Sequence, residues 1–219
     1  MGCGGGAPAT ENGQAEATIV VAALGDSITA GSPAYSPDPN APARPGIGDP
    51  RSQYEYWARA ADPRLQFRNC GVSGERTDEI ERRLDACARG AAVLVIEGGI
   101  NDIAQSLAAP PAARRATVAA AARNLARMVR RGKALGLRVE LTDLLPWNTG
   151  GPLAVPLIEA LNRRIERIGA ATRVPVLPFH AVLADPRRPS LMKAEWTAEG
   201  IHPSIEGYRR LGERAFRLP

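Results

Sequence analysis

The residue types that can move an acyl group stand in four short segments: Gly25-Asp26-Ser27, the run NCGVSG at 69–74, Gly98-Gly99-Ile100-Asn101-Asp102, and Glu199-Gly200-Ile201-His202-Pro203. A neutral serine hydroxyl is a poor nucleophile and needs an adjacent base. Imidazole suits that task, because it titrates near neutrality and can take the hydroxyl proton and later return it to a leaving alcohol. The chain has two histidines, His180 and His202. A serine–histidine pair usually has an acid on the far ring nitrogen, and Glu199 and Glu195 both stand close to His202 in sequence. Singly, the segments say little: Gly-Asp-Ser is a common triplet whose plainest reading is a turn capped by Asp or Ser. Asp26 and Asp102 read as structural, since an Asp at a helix start accepts from free N–H groups. The weight comes from the order of the four segments and from what positions them.

Apolar runs alternate with helical patterns along the chain. Residues 18–24 (TIVVAAL), 64–70 (RLQFRNC), 92–97 (AVLVIE), 138–142 (RVELT) and 174–179 (VPVLPF) read as strands. Residues 77–87, 112–135, 155–168 and 204–216 read as helices; in the second, Val118, Ala122, Leu125 and Val129 recur at helical spacing. The last follows Pro203, a residue suited to an early helix position. Such alternation predicts a parallel sheet covered by helices on both faces, with the site beyond the carboxyl ends of the strands. Three of the segments fall at predicted strand ends and the fourth just before the last helix, so Ser27 is expected at the sheet edge where a helix begins. The stretch 32–50, rich in Pro, Gly and Asp, is expected to be a long loop of the kind that is often functional. Residues 1–17 lack periodicity and are expected to be a flexible tail, which leaves 18–219 as one domain.

Together the segments resemble the blocks of the GDSL or SGNH family of serine esterases and lipases: LGDSITAG the first, NCGVSGERT the second, GGIND the third and TAEGIHPS the last. The resemblance covers roughly residues 18–217. It implies an α/β fold, a three-layer α/β/α sandwich on a five-stranded parallel sheet, flavodoxin-like in outline. It implies Ser27 as nucleophile and His202 as base; His180 follows the fifth predicted strand with no carboxylate at triad spacing and reads as a structural or surface histidine. The family carries an Asp three residues before the base, and here Glu199 stands there. Glutamate keeps the charge but adds a methylene, so its carboxylate must fold back or approach from another angle; glutamate serves as triad acid on other folds. The competing reading is a solvated Glu199, with His202 held by a backbone carbonyl, and Glu195 is the fallback acid at the wrong spacing. The resemblance further implies three oxyanion donors, each worth on the order of 3 kcal/mol: the backbone N–H of Ser27, that of Gly74, and the side-chain amide of Asn101. Gly74 lacks a Cβ, which lets a substrate oxygen approach closely, and it is expected to begin a helix whose N-terminal field favours an anion. The plainer reading of Asn101 is a turn residue after the third strand. Trp147, in a segment that looks like the family's substrate-contacting loop, Tyr35 and Trp196 are candidates to line an acyl or aryl pocket, as are Tyr54, Tyr56 and Trp57; ordinary packing competes for each.

Composition bounds these readings. At 219 residues the chain is about one domain long, taking roughly 150 residues per domain, and 44% apolar with 23% charged residues excludes a mostly disordered chain. No apolar run approaches the ~18 residues of a membrane-spanning helix. The net charge is +5, and all basic residues except Lys133 and Lys193 are arginines, dispersed along the chain. The Arg pairs on predicted helices read as solvated faces, which argues against nucleic acid as a partner. No HxxxH or CxxC spacing exists, and the implied reaction needs no metal or organic cofactor. Cys70 and Cys87 can pair or remain buried thiols, a choice the sequence leaves open. The Gly2-Cys3-Gly4 opening resembles the start of a mature lipoprotein without the preceding signal segment. The expected partner is a small-molecule or lipid ester, with a membrane tether through Cys3 if that residue is lipidated, and the expected location leans extracytoplasmic, periplasmic or lipid-anchored. The expected function is hydrolysis of short-chain acyl, aryl or lysophospholipid esters, or thioesters, through an acyl-enzyme. The alternatives are removal of acetyl groups from an envelope polysaccharide and a catalytically silent binding module.

Overall fold

The computed structural model describes residue 1, residues 17–35 and residues 48–216. Nearly all of the tail expected at 1–17, with Cys3, and most of the loop expected at 32–50 lie outside the described residues. Five strands, β1 (Ile19–Gly25), β2 (Leu65–Gly71), β3 (Val93–Ile96), β4 (Arg138–Thr142) and β5 (Val176–Leu177), form a parallel sheet in the order β2-β1-β3-β4-β5. Around them lie α1 (Ser27–Ala30), α2 (Tyr54–Ala61), α3 (Thr77–Arg82), α4 (Leu84–Ala88), α5 (Ile100–Ser106), α6 (Pro111–Ala134), α7 (Gly151–Thr172), α8 (Phe179–Leu183) and α9 (Ile205–Arg210). An antiparallel hairpin, β6 (Ala184–Asp185) and β7 (Arg188–Met192), inserts before the last helix. This is the expected α/β/α sandwich.

Burial explains which strands read clearly. β1 and β3 are central and covered on both faces, so their runs are almost wholly apolar. β2 lies at an edge and alternates. β5 is far shorter than the run at 174–179 suggests, because Pro175 and Pro178 flank it and have no N–H to give to a ladder. Alternate side chains of the central strands feed two core halves. Ala22, Leu24, Leu94, Ile96, Val139 and Leu141 meet the layer of α3 to α7. Val21, Ala23, Val93 and Val95 meet α2, α8 and α9. The helix expected at 77–87 is two short helices that break at Arg83, and the one expected at 204–216 is α9 followed by a π-turn at Leu211–Ala215.

The chain order places the site. The path runs from β1 to one edge at β2 and then returns to β3 on the other side of β1, so the connections after β1 and β3 diverge to opposite faces. That divergence opens a crevice at the carboxyl ends of the two strands. A disulfide joins Cys70, near the end of β2, to Cys87 of α4, which settles the pairing left open by the sequence. Among the described residues no helix is long and apolar enough to cross a membrane.

Candidate active site

β1 ends at Gly25, and the chain turns at once into the four-residue α1. Asp26 caps that helix as expected, its Oδ1 accepting from the N–H of Ile28 at 3.0 Å. Ser27 is the first helical residue, so its N–H has no partner within the helix. The Ser27 hydroxyl lies 2.9 Å from His202 Nε2, across 175 residues of sequence. On the other side of the ring, Nδ1 meets Glu199 Oε1. Nδ1–H therefore donates to the carboxylate, which leaves the Nε2 lone pair for the serine proton. Glu195 is not an alternative anchor: it is exposed and pairs with Lys193.

The loop from Thr197 to Pro203 explains how the longer glutamate fits. Its ends close through an antiparallel bridge between Thr197 and Pro203. Within it the Thr197 hydroxyl accepts from Gly200 N–H at 2.8 Å and donates to His202 O at 3.0 Å. Ala198 N–H donates to the same carbonyl. Gly200 holds φ at +93°, and a Cβ there would sit 2.6 Å from Thr149 Cγ2. The Gly200 carbonyl accepts from Asn148 N–H at 2.7 Å, and the Asn148 side chain brackets Met192, accepting from its N–H at 2.6 Å and donating to its carbonyl at 3.0 Å. The segment after β4 thus ties the β6–β7 hairpin to the loop that carries Glu199 and His202.

The three expected oxyanion donors lie around the same edge. Asn101 is in the first turn of α5, not in a free turn, and its Nδ2 donates to Asp26 Oδ2 at 3.2 Å and to Glu75 O at 3.0 Å. It therefore bridges the residue before Ser27 and the residue after Gly74. Gly74 does not begin a helix: α3 starts three residues later and has six residues, so the helix-field argument lapses there. What the position requires is its φ of +84°, which a side chain would strain. Asp102 caps α3 and not its own helix; its carboxylate accepts from Thr77 N–H at 2.9 Å and from the Thr77 hydroxyl at 2.8 Å.

Two supporting groups escaped the sequence reading. Glu97 directly follows β3, and its Oε2 accepts from Asp26 N–H and from the Thr29 hydroxyl, each at 3.0 Å. Burial, and then the neighbouring Glu97 charge, push the Asp26 carboxyl well above the ordinary range; burial also raises Glu97. Arg83 belongs to a pair read as a solvated face, but its guanidinium turns inward, donating to Cys70 O at 2.7 Å, Gly25 O at 3.1 Å and Glu75 Oε2 at 2.6 Å. It clamps the Gly74 turn to the ends of β1 and β2.

Of the aromatic candidates, Trp147 is half-buried beside the triad loop, its Nε1 donating to Thr149 Oγ1 at 2.9 Å. Tyr35 is half-buried next to Gly31. Trp196, expected to line a pocket, instead packs in the second core half: it is 9% exposed and carries the Arg210 guanidinium 3.7 Å from its ring. Tyr54 is likewise core, against Phe179. The backbone N–H of His180 donates to Asp143 Oδ1 at 2.7 Å, and burial lowers the proton affinity of its ring. Among the described residues no three His, Cys, Asp or Glu side chains converge as metal ligands would.

Residues 23–210 match the model of the GDSL-like lipase/acylhydrolase family. Among curated proteins, no sequence matches the chain. Solved structures do resemble it. A lipolytic protein of the G-D-S-L family from Desulfitobacterium hafniense is 21% identical with a TM-score of 0.69, covering 90% of this chain and 96% of its own. A GDSL-like lipase from Bacteroides thetaiotaomicron is 23% identical with a TM-score of 0.64, covering 88% and 83%. A variant of an acetyl xylan esterase from Geobacillus stearothermophilus is 20% identical with a TM-score of 0.68, covering 91% and 93%. At these identities the likeness establishes the fold.

Proposed function

The chain belongs to the GDSL-like lipase/acylhydrolase family, and from that premise we propose that it hydrolyses short-chain acyl, aryl or lysophospholipid esters, or thioesters, through an acyl-enzyme on Ser27. The observation that carries this reading is the unbroken contact from Ser27 through His202 to Glu199. Ser27 Oγ attacks the ester carbonyl carbon while its proton passes to His202 Nε2. Glu199 stabilises the resulting imidazolium from the Nδ1 side. The carbonyl oxygen, now an anion, is met by the N–H groups of Ser27 and Gly74 and by the Asn101 amide, each worth on the order of 3 kcal/mol. For this Asn101 gives up the longer of its two bonds, the one to Asp26 Oδ2. The tetrahedral intermediate then expels the alcohol, which takes the proton from His202. Water, deprotonated by the same imidazole, attacks the acyl-serine and restores the hydroxyl.

Turnover of p-nitrophenyl acetate tests the assignment. Ser27→Ala should reduce it by about 10³-fold or more, and labelling by a fluorophosphonate should vanish with it. Unchanged turnover in that variant removes Ser27 from the chemistry. A second reading, removal of acetyl groups from an envelope polysaccharide, draws support from the likeness to the acetyl xylan esterase and from the Cys70–Cys87 bond, since disulfides persist in oxidising compartments outside the cytoplasm. Acetate release from acetylated xylan, compared with release from lysophospholipid, separates the two.

A further inference from the structure

We propose that the outer face of α6 and α7 is a docking surface for an anionic phospholipid bilayer. Arg123, Arg130 and Lys133 fall on one stripe of α6 at helical spacing, and Arg164 and Arg167 face them from α7. Between the rows runs a groove of about 330 Å³ floored by alanines and Ile168. It continues into a second groove, of about 520 Å³, that ends at Arg173. No carboxylate lines either groove.

The neighbouring arginines are matched. Arg127 pairs with Glu81 at 2.6 Å, Arg131 with Asp85 at 2.7 Å and Arg163 with Glu159 at 3.7 Å. Arg123, Arg130, Arg164, Arg167 and Arg173 have no carboxylate partner among the described residues, and Lys133 reaches only the Thr172 carbonyl, at 2.6 Å. Six unmatched cations on one face make a strong positive potential that draws in anions, and guanidinium groups fit phosphate oxygens in pairs. The form of the face points to a surface and not to a discrete ligand: the groove is shallow, with small side chains on its floor.

The site and this face lie at opposite ends of the sheet. The basic residues occupy the C-terminal halves of α6 and α7, which lead into the amino ends of β4 and β5, whereas Ser27 follows the carboxyl end of β1. Docking here leaves the crevice open to solvent.

Co-sedimentation of the full unlipidated chain with vesicles tests this. Expected is partition onto vesicles of phosphatidylcholine with 30% phosphatidylglycerol at low salt, none onto phosphatidylcholine alone, and release at 0.5 M NaCl. Arg123→Gln with Arg130→Gln, Arg164→Gln and Arg167→Gln should weaken partition at least ~100-fold, at about fivefold per arginine. Arg59→Gln with Arg214→Gln, on the opposite helical layer, should stay within about twofold of the parent protein on the same scale. Turnover of p-nitrophenyl acetate should match the parent in both variants and on vesicles. If the fourfold variant loses turnover, Arg123→Gln and Arg164→Gln singly carry the comparison, each about fivefold weaker. Equal weakening by the two sets, no partition onto the anionic vesicles, or binding of heparin without binding of vesicles each overturns the proposal.

Discussion

Glu199 and His202 touch near the surface, with the acid the more exposed of the two. The glutamate arm has to span what a shorter aspartate would span elsewhere, so its charge and its length can be separated by substitution. Glu199→Gln keeps an acceptor oxygen but removes the charge that steadies the imidazolium. It should lower kcat on p-nitrophenyl acetate by about 10²- to 10⁴-fold with little change in KM. Glu199→Asp keeps the charge but shortens the reach, and a loss of roughly tenfold is expected from misplacement by an ångström or so. Wild-type kcat in the Gln variant rules Glu199 out as the anchor. Ser27, His202 and Glu199 were legible in the sequence because the segments that carry them stand in an order that resembles the family's blocks. Glu97 and Arg83 were not. They act on backbone atoms brought from far away, as in the Glu97 bond to Asp26 across 71 residues, and no local pattern marks such a partner.

The turn from Thr197 to Pro203 is the element that fixes the Glu199–His202 geometry, and the Thr197 hydroxyl is its internal tie. Thr197→Val is nearly isosteric and removes both bonds, leaving Gly200 N–H and His202 O less constrained. Loosening that loop should reduce kcat by about 10- to 100-fold while KM stays near its parent value. Thr197→Ser restores the bonds and should recover most of the rate; failure of serine to rescue would assign the loss to packing of the methyl group. Elements were readable from sequence in proportion to how strongly burial constrains them. β1 and β3 stood out as continuous apolar runs because helices cover both faces. α6 stood out through its long periodic stripe. α2, α5 and α8 passed unseen, since they have five to eight residues and are held by tertiary contacts more than by propensity. The β6–β7 hairpin did too, its strands short and mostly exposed.

At the scale of the whole molecule, titratable groups divide by depth, and the two groups pull stability in opposite directions. Surface carboxylates paired with arginine, such as Asp62, Asp78 and Asp85, are held below their ordinary proton affinity by those partners. Their contribution is present above the unfolded pKa and is lost as pH falls through the folded one. Buried carboxyls behave inversely. Burial pushes Asp143 up to about 7 and Glu55 up to about 8. Glu55 accepts from Asn69 Nδ2 at 2.8 Å through one oxygen, while the other has no partner among the described residues. Between its unfolded value near 4.5 and about 8, the folded protein keeps the Glu55 proton that the unfolded chain releases. Stability from this group is therefore full below the lower value and declines until the pH passes the upper one. The native state should be most stable in mildly acidic solution and should weaken toward pH 8. Glu55→Gln keeps the acceptor for Asn69 without a titrating proton. Its unfolding free energy in urea should exceed that of the parent by several kcal/mol at pH 8.5, and the difference should shrink toward zero near pH 5. Parallel stability curves for the two proteins across that range would place the Glu55 proton affinity at its ordinary value and remove Glu55 as a source of the slope.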